Sequence, residues 1–255
     1  KKAFVYASKI NIDFITTPYD PFSAKEAYDC GVRKFKTASA DLSDLYLHNE
    51  ISSFKDVEVI IATGMSDIKT IKNTISIYKN TKPTILHCVS EYPCSDGSLN
   101  LNCINLLKKN FKNHKIGFSD HSIDNVPSLI AASIGYEYFE RHFTLNKGDE
   151  GPDHYASSDV NEMKNYVEQI RRCKRIKGLE TKNIQKEEMG MSNRSKKAIL
   201  SKINLKKGTK INLDNTYAIR PAENGISIDK LQEIIGKELV SDVPKNSFIQ
   251  YSDLK

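Results

Sequence analysis

The feature that most constrains this chain is a repeat: short apolar, β-branched runs separated by helix-like segments. Six such runs cover 13–18, 34–39, 58–63, 84–89, 116–121 and 138–143, with starts 21 to 32 residues apart. That spacing is the length of one βα unit, and regular alternation predicts a parallel sheet, doubly wound or closed into a barrel. The intervening segments carry helix signals. Ser23 is placed to cap a helix that Gly31 ends, and Asp67 opens 68–78, where Ile68, Ile71, Ile75 and Tyr78 stand at helical spacing. The stretches 99–111, 126–134 and 161–178 read the same way. No G-x-G-x-x-G or Walker motif follows the first strand, which favours the barrel.

Beyond 178 the texture changes. A polar Lys/Glu-rich stretch reads as a linker over 181–194, dividing a barrel domain (1–180) from a small β-rich one (195–255). The small domain contains an echo of itself. Leu205-Lys206-Lys207-Gly208-Thr209-Lys210-Ile211 resembles Val243-Pro244-Lys245-Asn246-Ser247-Phe248-Ile249, thirty-eight positions later. Gly208 and Asn246 suit the same left-handed turn, and 228–235 is the module's one expected helix. A module of about 60 residues is marginal alone and is expected to dock on something larger.

Bulk properties exclude some functions. Net charge is +6, but lysines and arginines are interleaved with acids, whereas nucleic-acid binding calls for a concentrated basic face. No apolar run approaches the roughly 18 residues of a membrane helix. The five cysteines show no C-x-x-C spacing and read as reduced thiols of a cytoplasmic protein.

Polar side chains gather where the strands end: Thr17, Lys36, Ser39, Asp41, Thr63, Ser90, Tyr92, Ser119, Asp120, His121, Glu140, Arg141 and His142. Convergence at the C-terminal ends of parallel strands is the layout of a βα-barrel active site. Hydroxyls with a lysine suit a phosphate or carboxylate. His121 and His142, on consecutive strands, can share a divalent ion or simply be hydrogen-bonded inside the barrel. His87 reads as a core histidine, and His48 and His114 as surface residues.

Several boxes together resemble the sialic acid synthase family. They are Phe14-Ile15-Thr16-Thr17-Pro18, Lys36-Thr37-Ala38-Ser39, Ala62-Thr63-Gly64-Met65, His87-Cys88-Val89-Ser90-Glu91-Tyr92-Pro93, Gly117-Phe118-Ser119-Asp120-His121, Glu140-Arg141-His142-Phe143 and Gly151-Pro152-Asp153-His154. The C-terminal module, with Arg220-Pro221-Ala222-Glu223-Asn224-Gly225, resembles that family's antifreeze-like domain. The resemblance implies an α/β fold: a TIM (β/α)8-type barrel plus a small antifreeze-like (SAF, β-clip) domain. It also implies that two further βα units, carrying a glutamate and a Lys-x-Gln motif, are lacking here, so that the chain is a fragment.

The implied activity condenses phosphoenolpyruvate with an N-acetylated hexose, N-acetylmannosamine or a diacetamido relative, and releases phosphate. By resemblance His121 and His142 bind Mn2+, with Mg2+ or Co2+ as alternatives. Lys36, Ser39, Thr17, Ser90 and Ser119 hold phosphoenolpyruvate, with Asp41 and Thr63 among the substrate-binding positions. Glu140, Tyr92 and Asp153 face the reacting centre and sugar. Arg220 serves the partner subunit of a domain-swapped homodimer. Ala40, Ala62 and Val89 depart mildly from the family pattern. Two other readings stand beside this one: an aldolase using Lys36 as a Schiff base, and a non-catalytic sugar-binding relic.

Overall fold

The alternation in the sequence becomes a five-stranded parallel sheet in the computed structural model, which describes residues 1–255. After α1 (Lys2–Lys9) and α2 (Pro21–Asp29) come β1 (Lys34–Thr37), α3 (Leu45–Ser53), β2 (Glu58–Ala62), α4 (Ile68–Ile75) and β3 (Thr84–Cys88). They are followed by α5 (Asp96–Leu99), α6 (Cys103–Asn110), β4 (Ile116–Asp120), α7 (Val126–Ile134), β5 (Tyr138–Arg141) and α8 (Val160–Lys177). The strands pair in sequence order, β1 to β5. Outward residues such as Phe35, Ile61, Ile85 and Phe118 are fully buried in one apolar core with residues of the helices.

The sheet curls strongly. β1 and β5 are its two edges, and in a flat sheet four strand spacings would separate them by about 19 Å. Yet Lys36 Nζ on β1 lies 3.3 Å from Glu140 Oε1 on β5. Two side chains can bridge that span only if the strands bend around a common interior. Gly117 shows how tight the interior is: a Cβ there would sit 2.5 Å from Leu86 Cδ2 and 2.6 Å from Tyr138 Cβ.

Most expected boundaries shift in one direction. Each of the last five runs leaves the sheet one or two residues early, so His121 and His142 stand just beyond β4 and β5. The expected first strand, 13–18, is reduced to a single bridge from Thr16 to Phe35, with Thr16 N donating to the Lys34 carbonyl at 3.1 Å. The sheet is therefore open, and no closed eight-stranded barrel is formed. The cap of α2 is Asp20, whose carboxylate accepts the Ser23 amide at 2.9 Å; Ser23 lies one turn inside. Asp67 caps α4 as expected. His48 is fully buried against Tyr78, because α3 turns it towards α4 rather than to solvent.

Contacts divide the chain into two units, Lys1–Gly178 and Leu179–Lys255. The second contains α9 (Met189–Ser195) within the stretch that reads as linker, then β6 (Ala198–Ser201), β7 (Thr216–Ile219) and α10 (Leu231–Ile234). β6 and β7 are antiparallel. The internal echo is physical. Leu205 and Val243, equivalent in the two copies, pair through two 2.8 Å backbone bonds, and Gly208 and Asn246 both adopt positive φ. Leu205, Ile211, Val243 and Ile249 share one small core. The expected helix over 228–235 begins as a 3-10 turn before α10. No helix of the chain is long and apolar enough to cross a membrane.

Candidate active site

A cleft of about 440 Å³ opens at the C-terminal ends of the strands. Ten of the thirteen residues given roles by the family resemblance line it: Thr17, Lys36, Ser39, Ser90, Tyr92, Ser119, His121, Glu140, His142 and Asp153. The pleat explains the selection. Lys36, Cys88, Ser119 and Glu140 project inward, while their strand neighbours face the helices.

One wall is built around Glu140. Its Oε1 accepts the Ser119 hydroxyl at 2.7 Å and lies near Lys36 Nζ, whose side chain is only 16% exposed. Ser119 Oγ also stands 3.5 Å from His121 Nε2. A second wall places Ser39 beside Ser90. They converge over Gly64, whose amide donates to Ser39 Oγ at 3.0 Å. A Cβ on Gly64 would sit 2.8 Å from Ser39 Oγ and would collide with Ser90 Oγ as well. Two hydroxyls and an ammonium in one cleft are donors that suit an anion.

The two histidines stand edge to face, with ring centroids 5.2 Å apart. His121 Nδ1 bonds to the Val89 carbonyl at 2.7 Å, so that nitrogen carries a proton, and in the neutral ring Nε2 is the one with the lone pair. His142 Nδ1 lies 3.7 Å from Asp153 Oδ2. Burial pushes the His142 pKa down, and His121 and Lys36 push the same way against Asp153 and Glu140. Neutral imidazole is the form a metal ion binds. The chain offers no preassembled set of three or more His, Cys, Asp and Glu ligands. The two imidazoles are the donor type a divalent ion accepts. Tyr92 packs over both rings, its centroid 4.1 Å from that of His121. Burial raises the Tyr92 pKa, and nearby Cys88, Asp153 and Glu140 add to it.

Three expected residues lie elsewhere. Thr63 turns its hydroxyl back onto the Leu86 carbonyl at 2.8 Å and closes the end of β2. Asp41 ends the turn Ser39–Asp41, where its Oδ2 is buried without a partner; burial and then Asp44 raise its pKa. Arg220 follows β7 in the second unit and is exposed. His87 is a core histidine, as expected, with Nε2 2.7 Å from the Leu99 carbonyl.

Sequence reasoning missed Gly64 and Tyr19, and read Cys88 as a small buried apolar residue of the site region with no base beside it. Cys88 Sγ lies in the cleft wall, 3.9 Å from His121 Nδ1. Gly64 had a signal: a glycine directly after a strand end, where only a residue without Cβ lets two serines close in.

Comparison with known proteins supplies the family. The family model described as NeuB family matches residues 1–182, and the SAF domain model matches 199–255. An uncharacterized protein of Methanocaldococcus jannaschii is 34% identical over 252 residues, covering 98% of this chain and 74% of its own length. The N,N'-diacetyllegionaminic acid synthase of Campylobacter jejuni is 32% identical over 255 residues, covering 98% of this chain and 75% of its own. The crystal structure of N-acetylneuraminic acid (sialic acid) synthetase from Leptospira borgpetersenii, in complex with citrate, aligns with a TM-score of 0.68 at 29% identity. It covers 74% of this chain and 66% of that one. The chain therefore belongs to the NeuB family, with a SAF domain at its C-terminal end.

Proposed function

We propose that this protein condenses phosphoenolpyruvate with an N-acetylated hexose to give a nonulosonic acid and phosphate. The observation that carries this is the cleft itself, where anion donors and a paired-histidine site face each other across Glu140. Family membership and the relatives' names support a sugar-acid synthase. N-acetylmannosamine and diacetamido hexoses are the candidate acceptors.

In this reading Lys36, Ser39, Ser90 and Thr17 bind the phosphate and carboxylate of the donor. His121 and His142 would hold a divalent ion, Mn2+ before Mg2+ or Co2+, which would supply Lewis acidity towards the sugar's aldehyde. Tyr92 and Asp153 orient the sugar beside the histidines. The donor's C3 forms a bond to the aldehyde carbon, water bonds to C2, and the C2–O bond to phosphate breaks as the new C2 hydroxyl becomes a carbonyl; of water's two protons, one ends on the former aldehyde oxygen and the other leaves with phosphate. Glu140 Oε1 is engaged by Ser119 and Lys36, which leaves Oε2 to take the proton from that water. The same reading has Arg220 serving the cleft of the partner subunit in a homodimer in the cytoplasm.

We also infer that further βα units close the sheet into a barrel. An apolar cleft of about 500 Å³ runs along the open β5 edge, lined by Ile15, Ile60, Leu86, Tyr138, Phe139 and residues of α8. Such an edge is a pairing surface.

The test is phosphate release from phosphoenolpyruvate with N-acetylmannosamine or a diacetamido hexose, with and without Mn2+. The expected result is release that requires sugar and metal and disappears in a His121→Ala, His142→Ala double variant. Release indifferent to both histidines overturns the reading, and borohydride trapping of substrate on Lys36 would replace it with an aldolase.

A further inference from the structure

On the far side of the sheet from the cleft lies a buried ion pair that the reaction does not use. Asp120 and Arg141 are register partners on β4 and β5, and each directly precedes one histidine. Their side chains are 0% and 3% exposed, with Arg141 Nη1 3.0 Å from Asp120 Oδ2. Because side chains alternate across a strand, the pair points to the helix layer while His121 and His142 point towards the cleft.

Arg141 is saturated. Nε donates to Ser158 Oγ at 2.7 Å, and Nη1 to Asp120 and to the Asp124 carbonyl at 2.9 Å. Nη2 donates to the carbonyls of Ser122 and Ile123 at 2.9 and 2.8 Å. All five N–H groups of the guanidinium are thereby used. Three of the acceptors are consecutive backbone carbonyls in the loop that leaves His121. A fourth, Ser158, pairs with the other histidine's backbone: its amide donates to the His142 carbonyl at 2.9 Å. Asp120 is equally satisfied, accepting from the Ser122 amide and hydroxyl and from Ser128. Since Ser128 gives its proton to Asp120, Tyr166 donates to Ser128 at 2.8 Å, and the Tyr166 ring lies 5.2 Å from the guanidinium carbon.

We propose that Arg141 is a positioning residue: one guanidinium, held by Asp120, sets the backbone that carries both His121 and His142. Burial alone requires five acceptors for a guanidinium, wherever they come from; here three of them are the consecutive carbonyls of the loop that leaves His121. The loop carbonyls make the guanidinium the common anchor of the two chain segments that leave β4 and β5. Lysine cannot replace it, since three donors on one nitrogen cannot reach acceptors spread around a planar fork. The inference rests on the proposed reading only in naming what the histidines hold.

The test compares the parent with Arg141→Lys, using Mn2+ alone as the probe in calorimetric titration and side-chain 15N–1H spectra of the histidine rings in metal-free protein. His121 peaks are assigned with His121→Ala. In the parent, His121 is expected as a single tautomer protonated at Nδ1. In a folded Arg141→Lys variant that tautomer averages, and Mn2+ affinity falls 10- to 100-fold, the usual effect of losing a group that orients a metal ligand. Parental ring spectra with Mn2+ affinity within twofold of the parent overturn the proposal. If the parent binds no Mn2+, or the double histidine variant binds it equally, the metal reading fails and the metal-free spectra alone decide the clamp. Should Arg141→Lys not fold, Ser158→Ala, which removes only the Nε acceptor, is put through the same spectra and titration and decides in its place.

Discussion

At the residue scale, two glycines do work that no other residue could. Gly64 lets Ser39 and Ser90 close over one backbone amide, so Gly64→Ala must push at least one hydroxyl aside. Misplacement of about 1 Å at a reacting site costs as much as 100-fold in rate. The expected outcome is a KM for phosphoenolpyruvate raised at least roughly tenfold, with the melting temperature little changed, read by steady-state kinetics and calorimetry. Gly117 does the opposite kind of work. Its Cβ would collide with Leu86 and Tyr138 below the cleft floor, and overpacking of that kind costs about 1–3 kcal/mol. Gly117→Ala should therefore lower the melting temperature by several degrees, at about 2–4 °C per kcal/mol for a domain of this size.

At the element scale, the helix layer contains two imidazoles with no use for a proton. His48 on α3 bonds Tyr78 through Nδ1 and leaves Nε2 without a partner; His87 on β3 bonds the Leu99 carbonyl. Burial holds both below the ordinary value of 6.5, against smaller opposing contributions from nearby backbone and, at His48, Asp44. Above that value neither state gains a proton. As the pH falls through it, the unfolded chain takes up protons that the folded chain refuses, so stability declines from about pH 6.5 downward. A His48→Phe variant should show a shallower decline of melting temperature with pH over that window, even if its starting stability is lower. Helix starts are more local. Asp159 caps α8 in a capping box with Glu162, and Asp159→Ala should cost about 1 kcal/mol in chemical denaturation.

At the scale of the whole molecule, the proposed homodimer makes activity depend on concentration. If Arg220 completes the partner's cleft, dilution below the dimer dissociation constant lowers specific activity, and Arg220→Ala raises the KM for the sugar more than that for phosphoenolpyruvate. Sedimentation velocity alongside kinetics at matched concentrations checks both; activity constant through dissociation would remove the dimer from the mechanism.

The sequence alone set the order of elements, because apolar period and capping chemistry are local properties. The run 126–134 is α7 to the residue, and 161–178 is α8 shifted by one. It also named most of the cleft, since polar residues that end apolar strands must gather at one end of a parallel sheet. The echo of 205–211 in 243–249 was legible for the same reason: a left-handed turn needs its glycine or asparagine wherever it occurs. Tertiary structure alone decided the rest. Thr16 keeps a single bridge because strand status requires a neighbour on the ladder, and burial of His48 depends on how α3 meets α4. Thr63 and Asp41 leave the cleft because the hydroxyl of one is taken by a carbonyl across the sheet and the other lies at the far end of its turn. The Lys36–Glu140 contact needs the curl of all five strands, and the five acceptors around Arg141 come from two segments, 120–124 and Ser158, that no local pattern connects.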